Sequence, residues 1–281
     1  MKLKNHDLNI LCELAKKAAK EAGIIISKAS LSPVKLKKKA GGENLASCVV
    51  TEIDLASEKK ILEILNESIQ KYDLGILAEE STDNNSRFEK DYFWCIDPLD
   101  GTLAFSQNED GYSVSIALVS QEGRSIIGVV YDPKADTLYH AIKDQGAYKN
   151  NRSFKPSSPK ELLTIFFDQS FLKIENYDQE IKMLKEKAQD MELQGLKLSP
   201  LGGAVMNAIS TIEMHPAIYY KHPKIALGGG SIWDFAASSI IHSEALGFNS
   251  DYYGEPLHLN QRESTFMNTN GVCFSSFKYL S

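Results

Sequence analysis

Four cysteines in 281 residues, Cys12, Cys48, Cys95 and Cys273, stand too far apart to form a CxxC pair. That excludes a disulfide-stapled scaffold, and a chain this long buries enough core to do without one. Nothing approaches the roughly 20 apolar residues of a membrane span. A signal-type apolar core is missing as well, since charges recur through the first 21 residues. Long basic tracts are absent and the formal net charge is −6, which argues against nucleic acid as a bulk partner. The exception is the cluster Lys35, Lys37, Lys38 and Lys39, readable as a solvated loop or as local attraction for an anionic substrate. No internal repeat or low-complexity tract appears. These absences predict a cytoplasmic protein with no membrane insertion.

What is present is patterned. Leu8, Leu11, Leu14, Ala15, Ala18, Ala22 and Ile25 recur at helical spacing. A short apolar segment, Cys48 to Val50, leads to Thr51-Glu52-Ile53-Asp54, and a second helix follows from Leu55 with Glu58 in its early turns. Strands are expected at Gly75 to Ala78, Tyr92 to Ile96, Tyr112 to Val119, Ser125 to Tyr131, Thr137 to Ala141 and Gly146 to Tyr148, largely antiparallel. The second half alternates strands at Leu162 to Phe167, Leu196 to Leu198 and Ile218 to Tyr220 with helices. One helix spans Ile181 to Met191, one opens at Gly202-Gly203, and one runs from Trp233 to a stop at Gly247. The change of character near residue 150 predicts two parts. Residues 1–150 form an α+β half with the main acidic motifs, and residues 151–281 an α/β half with Trp233-Asp234 and a specificity region.

Acids follow short apolar segments at four places: Asp54, Glu79, Asp97 with Asp100, and Asp234. Asp54 or Asp234 alone reads as a helix cap. Five such acids brought together without partners would be prohibitively costly, and divalent cations remove that cost. The all-oxygen donor set favours Mg²⁺ or Mn²⁺ over zinc. Asp97-Pro98-Leu99-Asp100-Gly101-Thr102 is expected to form a turn that aims both carboxylates to one side. Gly101 lets a phosphate approach the main chain, and Thr102 offers a hydroxyl and a helix start; a plain Asp-capped turn is the alternative. The metal reading places Glu79, Asp97, Asp100 and Asp234 around two cations, with water attacking phosphorus directly. Thr102 would orient that water and Asp54 accept its proton through the hydroxyl.

Four segments resemble the magnesium-dependent, lithium-sensitive phosphatases of the inositol monophosphatase superfamily. They are Val50 to Asp54 with Glu58, Ala78 to Ser81, Asp97 to Phe105, and Trp233 to Ala237. The resemblance implies a layered α-β-α-β-α fold, a homodimer, a small phosphorylated substrate and two or three Mg²⁺ ions, with Mn²⁺ substituting and Li⁺ inhibiting. It implies metal ligation by Glu79, Asp97, Asp100, Asp234 and the carbonyl of Leu99, and water activation by Asp54 and Thr102. Gly101 and Thr102 would hold phosphate through their N–H groups. Inositol-specific members commonly carry a glutamate seven positions before the aspartate of the Trp-Asp pair, where this chain has Leu227. Leucine accepts no hydrogen bond from a ring hydroxyl. The segment looks more like the 3'(2'),5'-bisphosphate nucleotidase branch, with Tyr219, Lys221, His222 and Lys224 as substrate-binding candidates. That branch hydrolyses 3'-phosphoadenosine 5'-phosphate to AMP; an inositol or broad sugar-phosphate phosphatase is the alternative within the superfamily, and a non-enzymatic metal-binding protein the alternative outside it.

Overall fold

A computed structural model describes residues 3–30, 45–168 and 171–279. The chain opens with helices α1 (Asn5–Ser30) and α2 (Leu45–Tyr72), then strands β1 (Gly75–Ala78) and β2 (Tyr92–Asp100) and the short helix α3 (Thr102–Gln107). Strands β3 (Ser113–Ser120), β4 (Ser125–Asp132), β5 (Thr137–Ile142), β6 (Ala147–Lys149) and β7 (Arg152–Ser153) follow. Then come β8 (Leu162–Phe167), α4 (Tyr177–Asp190), β9 (Gly195–Pro200), α5 (Ala204–Glu213) and β10 (Ala217–Lys221). Helix α6 (Ile232–Glu244) and strands β11 (Phe248–Ser250) and β12 (Val272–Ser275) complete the order. The first seven strands form one sheet in sequence order, antiparallel except for β1 beside β2. The second sheet runs β11-β12-β10-β8-β9, with β8 parallel to both β10 and β9.

Side-chain alternation along the strands makes the layers. In β2, Trp94 and Ile96 pack with Leu11, Ile26, Ile61 and Leu65 of α1 and α2, while Phe93 and Cys95 point the other way. There they meet α5 and α6, which also pack on Phe166, Tyr219 and Phe274 of the second sheet. On that sheet's outer face, Leu163, Ile165 and Ile218 meet Leu184 and Ala188 of α4. The order is helix pair, sheet, helix pair, sheet, helix: the layered α-β-α-β-α arrangement. Strands covered on both faces carry near-continuous apolar runs, and the segments around Trp94, Val129 and Ile165 do so. Among the described residues no helix is long and apolar enough to cross a membrane. Cys12, Cys95 and Cys273 are buried free thiols whose pKa values burial pushes up.

Several local expectations need correction. Helix α2 already begins at Leu45, so Cys48 to Val50 belongs to it instead of preceding it. Helix α6 closes one residue before the expected stop: Leu246 takes the left-handed conformation, φ 68°, and the N–H groups of Leu246 and Gly247 bond to Ser243 and His242 carbonyls. Gly247 is needed for space, because a Cβ there would lie 2.3 Å from the His242 ring. The cluster Lys35 to Lys39 lies outside the described residues.

Candidate active site

The expected turn at Asp97 is instead the continuation of β2, which pairs with β3 through Asp97–Ser115 and Asp100–Ser113 with a register shift between them. This irregularity decides which way the acids point. Residues three apart on a regular strand face opposite sides. The extra residue of a bulge restores them to one side, and Pro98 is tolerated there because no ladder N–H is required of it. Leu99 thus buries its side chain against the α1–α2 layer while Asp97 and Asp100 face α5 and α6. The Asp97 carboxylate accepts the Leu99 N–H at 3.0 Å, which fixes the bulge. Gly101 follows in the left-handed region, φ 81°, with a virtual Cβ only 2.8 Å from the Gly111 carbonyl. Thr102 then starts α3, its hydroxyl donating to the Leu99 carbonyl at 3.2 Å.

Two helix N-termini meet this strand end. Asp100 accepts the Ala204 N–H at 3.1 Å and the Val205 N–H at 3.0 Å, so its carboxylate satisfies the start of α5 from across the chain. Gly203 makes that approach possible, since a Cβ there would lie 2.1 Å from the carboxylate. Asp234, in the first turn of α6, accepts the Ser231 N–H at 2.8 Å. The helix-capping role open to Asp234 is therefore real, and it leaves the rest of the carboxylate facing the cluster. The Ser115 hydroxyl anchors the same turn by donating to the Trp233 carbonyl at 3.1 Å.

Oxygens of Asp97, Asp100 and Asp234 lie within 4.8 Å of one another. Burial raises the pKa of each, most strongly for Asp97 and Asp100. Mutual repulsion adds to this at Asp97 and Asp100; opposing it, α5 N–H groups stabilise the Asp100 carboxylate, and the Lys221 charge favours ionised Asp100 and Asp234. Glu79 follows β1 at the exposed lip and hydrogen-bonds Asp97; desolvation inside the acidic cleft still lifts its pKa to about 7, helped by Asp234, Glu80 and Glu58. Asp54, on α2, is buried with Oδ1 lacking any hydrogen-bond partner. Burial, then the charges of Glu80 and Glu79, raise its pKa to about 7. Protons or cations must neutralise such a group, and buried carboxylate oxygens are the donors a hard divalent ion takes. The residues fit the metal.

The fold thus draws Asp54, Glu79, Asp97, Asp100 and Asp234 to one place, with Leu99, Gly101 and Thr102 on the strand end beside them. It does not bring Tyr219 there as a ligand-stacking group. Tyr219 and Tyr220 alternate on β10: Tyr219 is fully buried and stacks on Phe274 between the sheets, while Tyr220 faces α4. Lys221 pairs with Asp168 at 2.7 Å, and His222 Nε2 stands 3.8 Å from Glu180. Lys224 is tied to Asn268, its N–H donating at 2.8 Å.

Three residues have roles that the sequence reading did not assign. Glu58 accepts the Glu80 N–H at 2.8 Å and the Ser81 hydroxyl, holding the loop that carries Glu79. Gly203 admits Asp100. Asp168 ends the apolar run Leu162 to Phe167, the same acid-after-strand signal that marked Asp97.

This geometry can be compared with known proteins. Residues 7–277 match the model of the inositol monophosphatase family. The chain belongs to that family. It is accordingly a phosphoric monoester hydrolase, in a family whose members depend on metal. Nus factor SuhB of Pasteurella multocida is 30% identical over 251 residues, covering 88% of this chain and 87% of that protein. Inositol-1-monophosphatase of Bacillus subtilis is 26% identical over 264 residues, covering 90% and 89%. Among solved structures, inositol monophosphatase from Anabaena (Nostoc) sp. PCC 7120 superposes with a TM-score of 0.69 at 26% identity, covering 96% of this chain and 91% of that one.

Proposed function

We propose that the protein is a Mg²⁺-dependent phosphomonoesterase that hydrolyses 3'-phosphoadenosine 5'-phosphate to AMP and phosphate. The observation that carries the chemistry is the convergence of Asp97, Asp100 and Asp234 oxygens within 4.8 Å. These three residues, with Glu79 and the Leu99 carbonyl, would hold the cations, Mn²⁺ substituting and Li⁺ inhibiting. When bound, Mg²⁺ supplies Lewis acidity to the attacking water and to the ester oxygens. The Thr102 hydroxyl orients the water. Asp54, buried with an unpartnered Oδ1, takes the proton through it. The N–H groups of Gly101 and Thr102 hold the phosphate.

The substrate assignment rests on Leu227, which stands where inositol-specific members commonly have a glutamate, and on Lys221, His222 and Lys224 near the site. Leu227 is largely exposed and offers a polyol no acceptor. The names of the Bacillus subtilis and Anabaena relatives favour a second reading, inositol monophosphate hydrolysis. The relatives named Nus factor carry a name that says nothing of phosphate esters; for this chain the acid cluster favours a small-molecule substrate over nucleic acid. The reading includes a homodimer and a cytoplasmic location. It also keeps two functional halves, 1–150 with the main metal-binding motifs and 151–281 with Trp233-Asp234 and the specificity region.

The test is kcat/KM under Mg²⁺ for 3'-phosphoadenosine 5'-phosphate, inositol 1-phosphate and fructose 1,6-bisphosphate. The bisphosphate nucleotide is expected to lead by at least about tenfold. An inositol preference would reverse the substrate assignment, and no metal-dependent turnover of any ester would leave a metal-binding protein.

A further inference from the structure

An arginine is almost never fully buried unless it is paired, and Arg87 is only 2% exposed. Its guanidinium bonds to two distant parts of the chain at once. Nε donates to the Asp83 carboxylate at 2.7 Å, within the segment that follows Glu79. Nη1 donates to the Asn260 side-chain oxygen and to the Gln261 carbonyl, each at 2.8 Å and each more than 170 residues further along. Asn260 returns the grip. Its amide donates to the Arg87 carbonyl at 3.1 Å and to the Gln121 carbonyl at 2.9 Å. The Phe88 ring adds a cation–π contact, with the Arg87 guanidinium 3.9 Å and that of Arg262 4.5 Å from its centroid. A planar fork of donors can span partners on two sides in this way; the single ammonium of a lysine cannot.

Each of the joined segments leads to an acid of the cluster. Asp83 and Arg87 stand four and eight residues after Glu79. That stretch is fastened at both ends, the Glu80 N–H to Glu58 at 2.8 Å and the Ser86 hydroxyl to the Ile76 N–H of β1 at 3.1 Å. On the other side, the segment that Arg87 grips at Asn260 and Gln261 runs on to the residues that seat the entry to α6. The Ile232 N–H donates to the Thr265 carbonyl at 2.8 Å, the Met267 N–H to the Gly230 carbonyl at 2.9 Å, and Ser231 bridges Phe266. Asp234 belongs to the same turn, its carboxylate accepting the Ser231 N–H at 2.8 Å.

A continuous path of short bonded segments therefore runs from Glu79 through Asp83, Arg87, residues 260–267 and residues 230–232 to Asp234. The two ends carry like charges, close enough for Asp234 to act on the titration of Glu79. Without a cation between them these acids repel, and only their supports keep them at ligating distance. Arg87 touches neither acid. It joins the supports.

We infer that Arg87 is a positioning residue of the metal site: its guanidinium ties the segment behind Glu79 to the segment that seats the start of α6, and so sets the spacing of Glu79 and Asp234 before a cation binds. This rests on the metal-dependent reading of the cluster and adds a residue that lies outside it. The test is Mg²⁺ affinity by calorimetry on chelator-stripped protein, which needs no turnover, for wild type, Arg87→Lys, Arg87→Met and Leu184→Ala, with melting temperatures recorded for all four. Arg87→Lys keeps the charge and loses the fork, and it serves where Arg87→Met fails to fold. Leu184, fully buried on the outer face of the second sheet, is the comparison: its truncation lowers stability without touching the tie. Mg²⁺ binding should weaken about tenfold or more in Arg87→Met and about threefold in Arg87→Lys, and stay within about twofold in Leu184→Ala. Arg87 variants that bind Mg²⁺ as wild type does, or losses that follow melting temperature equally in Leu184→Ala, would overturn the positioning role and leave the metal site standing. No Mg²⁺ binding by wild type would overturn both.

Discussion

The acid cluster and the cavity beside it are near neighbours, yet the fold holds them by different means. Three acids of the cluster are fixed to backbone, Asp97 to the bulge it bonds across, Asp100 to the start of α5 and Asp234 to the start of α6, and Glu58 secures the loop that follows Glu79. The cavity, about 700 Å³ between the end of β10, the first turn of α4 and residues 222–230, is bounded by rings packed on rings and by a segment tied at Lys224 and Gly230. The first arrangement positions oxygens and permits little movement. The second presents side-chain surfaces. Under the proposed function, changes to the fixed acids should register in kcat more than in KM.

The largest effect is expected from the rigid part. Asp97→Asn removes a carboxylate charge at the centre of the cluster and should lower kcat by at least about 10³-fold, with Mg²⁺ affinity falling in calorimetry. Thr102→Ala should lower kcat about 10²-fold and leave KM within a few-fold, because in the proposed mechanism the hydroxyl orients water and not the leaving group. Full kcat in that variant would remove Thr102 from the chemistry. Gly203→Ala touches no ligand, but its methyl would collide with the Asp100 carboxylate at 2.1 Å. Mg²⁺ binding about tenfold weaker is expected, within the range for displaced support of a metal ligand; unchanged affinity would show that Asp100 is free to move.

The smallest effect concerns pH. Asp54 and Glu79 have folded pKa values raised to about 7, against about 4 for unfolded carboxylates. Between those values the folded chain retains protons that the unfolded chain has released, so stability falls as pH rises through that window. Metal-free protein should melt about 5 °C lower at pH 8 than at pH 5, and Mg²⁺ should recover the difference at pH 8. A flat profile, or one that rises with pH, would mean the acids are not crowded as described.

The same division governs what was legible before the fold was known. Asp54, Glu79, Asp97, Asp100 and Asp234 each follow an apolar anchor, a local signal that survives in one dimension. That Asp97 to Asp100 is bulged strand instead of turn was not legible, because Pro98 and Gly101 punctuate both alike. Strands β11 and β12, three and four residues long, leave too little pattern to read. Tyr219 misled for a plainer reason. A strand covered on both faces gives no alternation in its sequence, so which of Tyr219 and Tyr220 turned toward α4 depended on packing. Glu180 and Tyr252 join the cavity from 40 and 32 residues away along the chain from Tyr220, a distance over which only the tertiary fold speaks.

One measurement bears most directly on the central claim that the acid cluster is a metal-dependent phosphomonoesterase site. Phosphate release from a small monoester should be followed for folded wild-type protein stripped of metal by chelator, then resupplied with Mg²⁺. The account predicts negligible turnover without metal and saturable restoration on its return. Equal turnover in both conditions, or none in either across the ester panel, would contradict it.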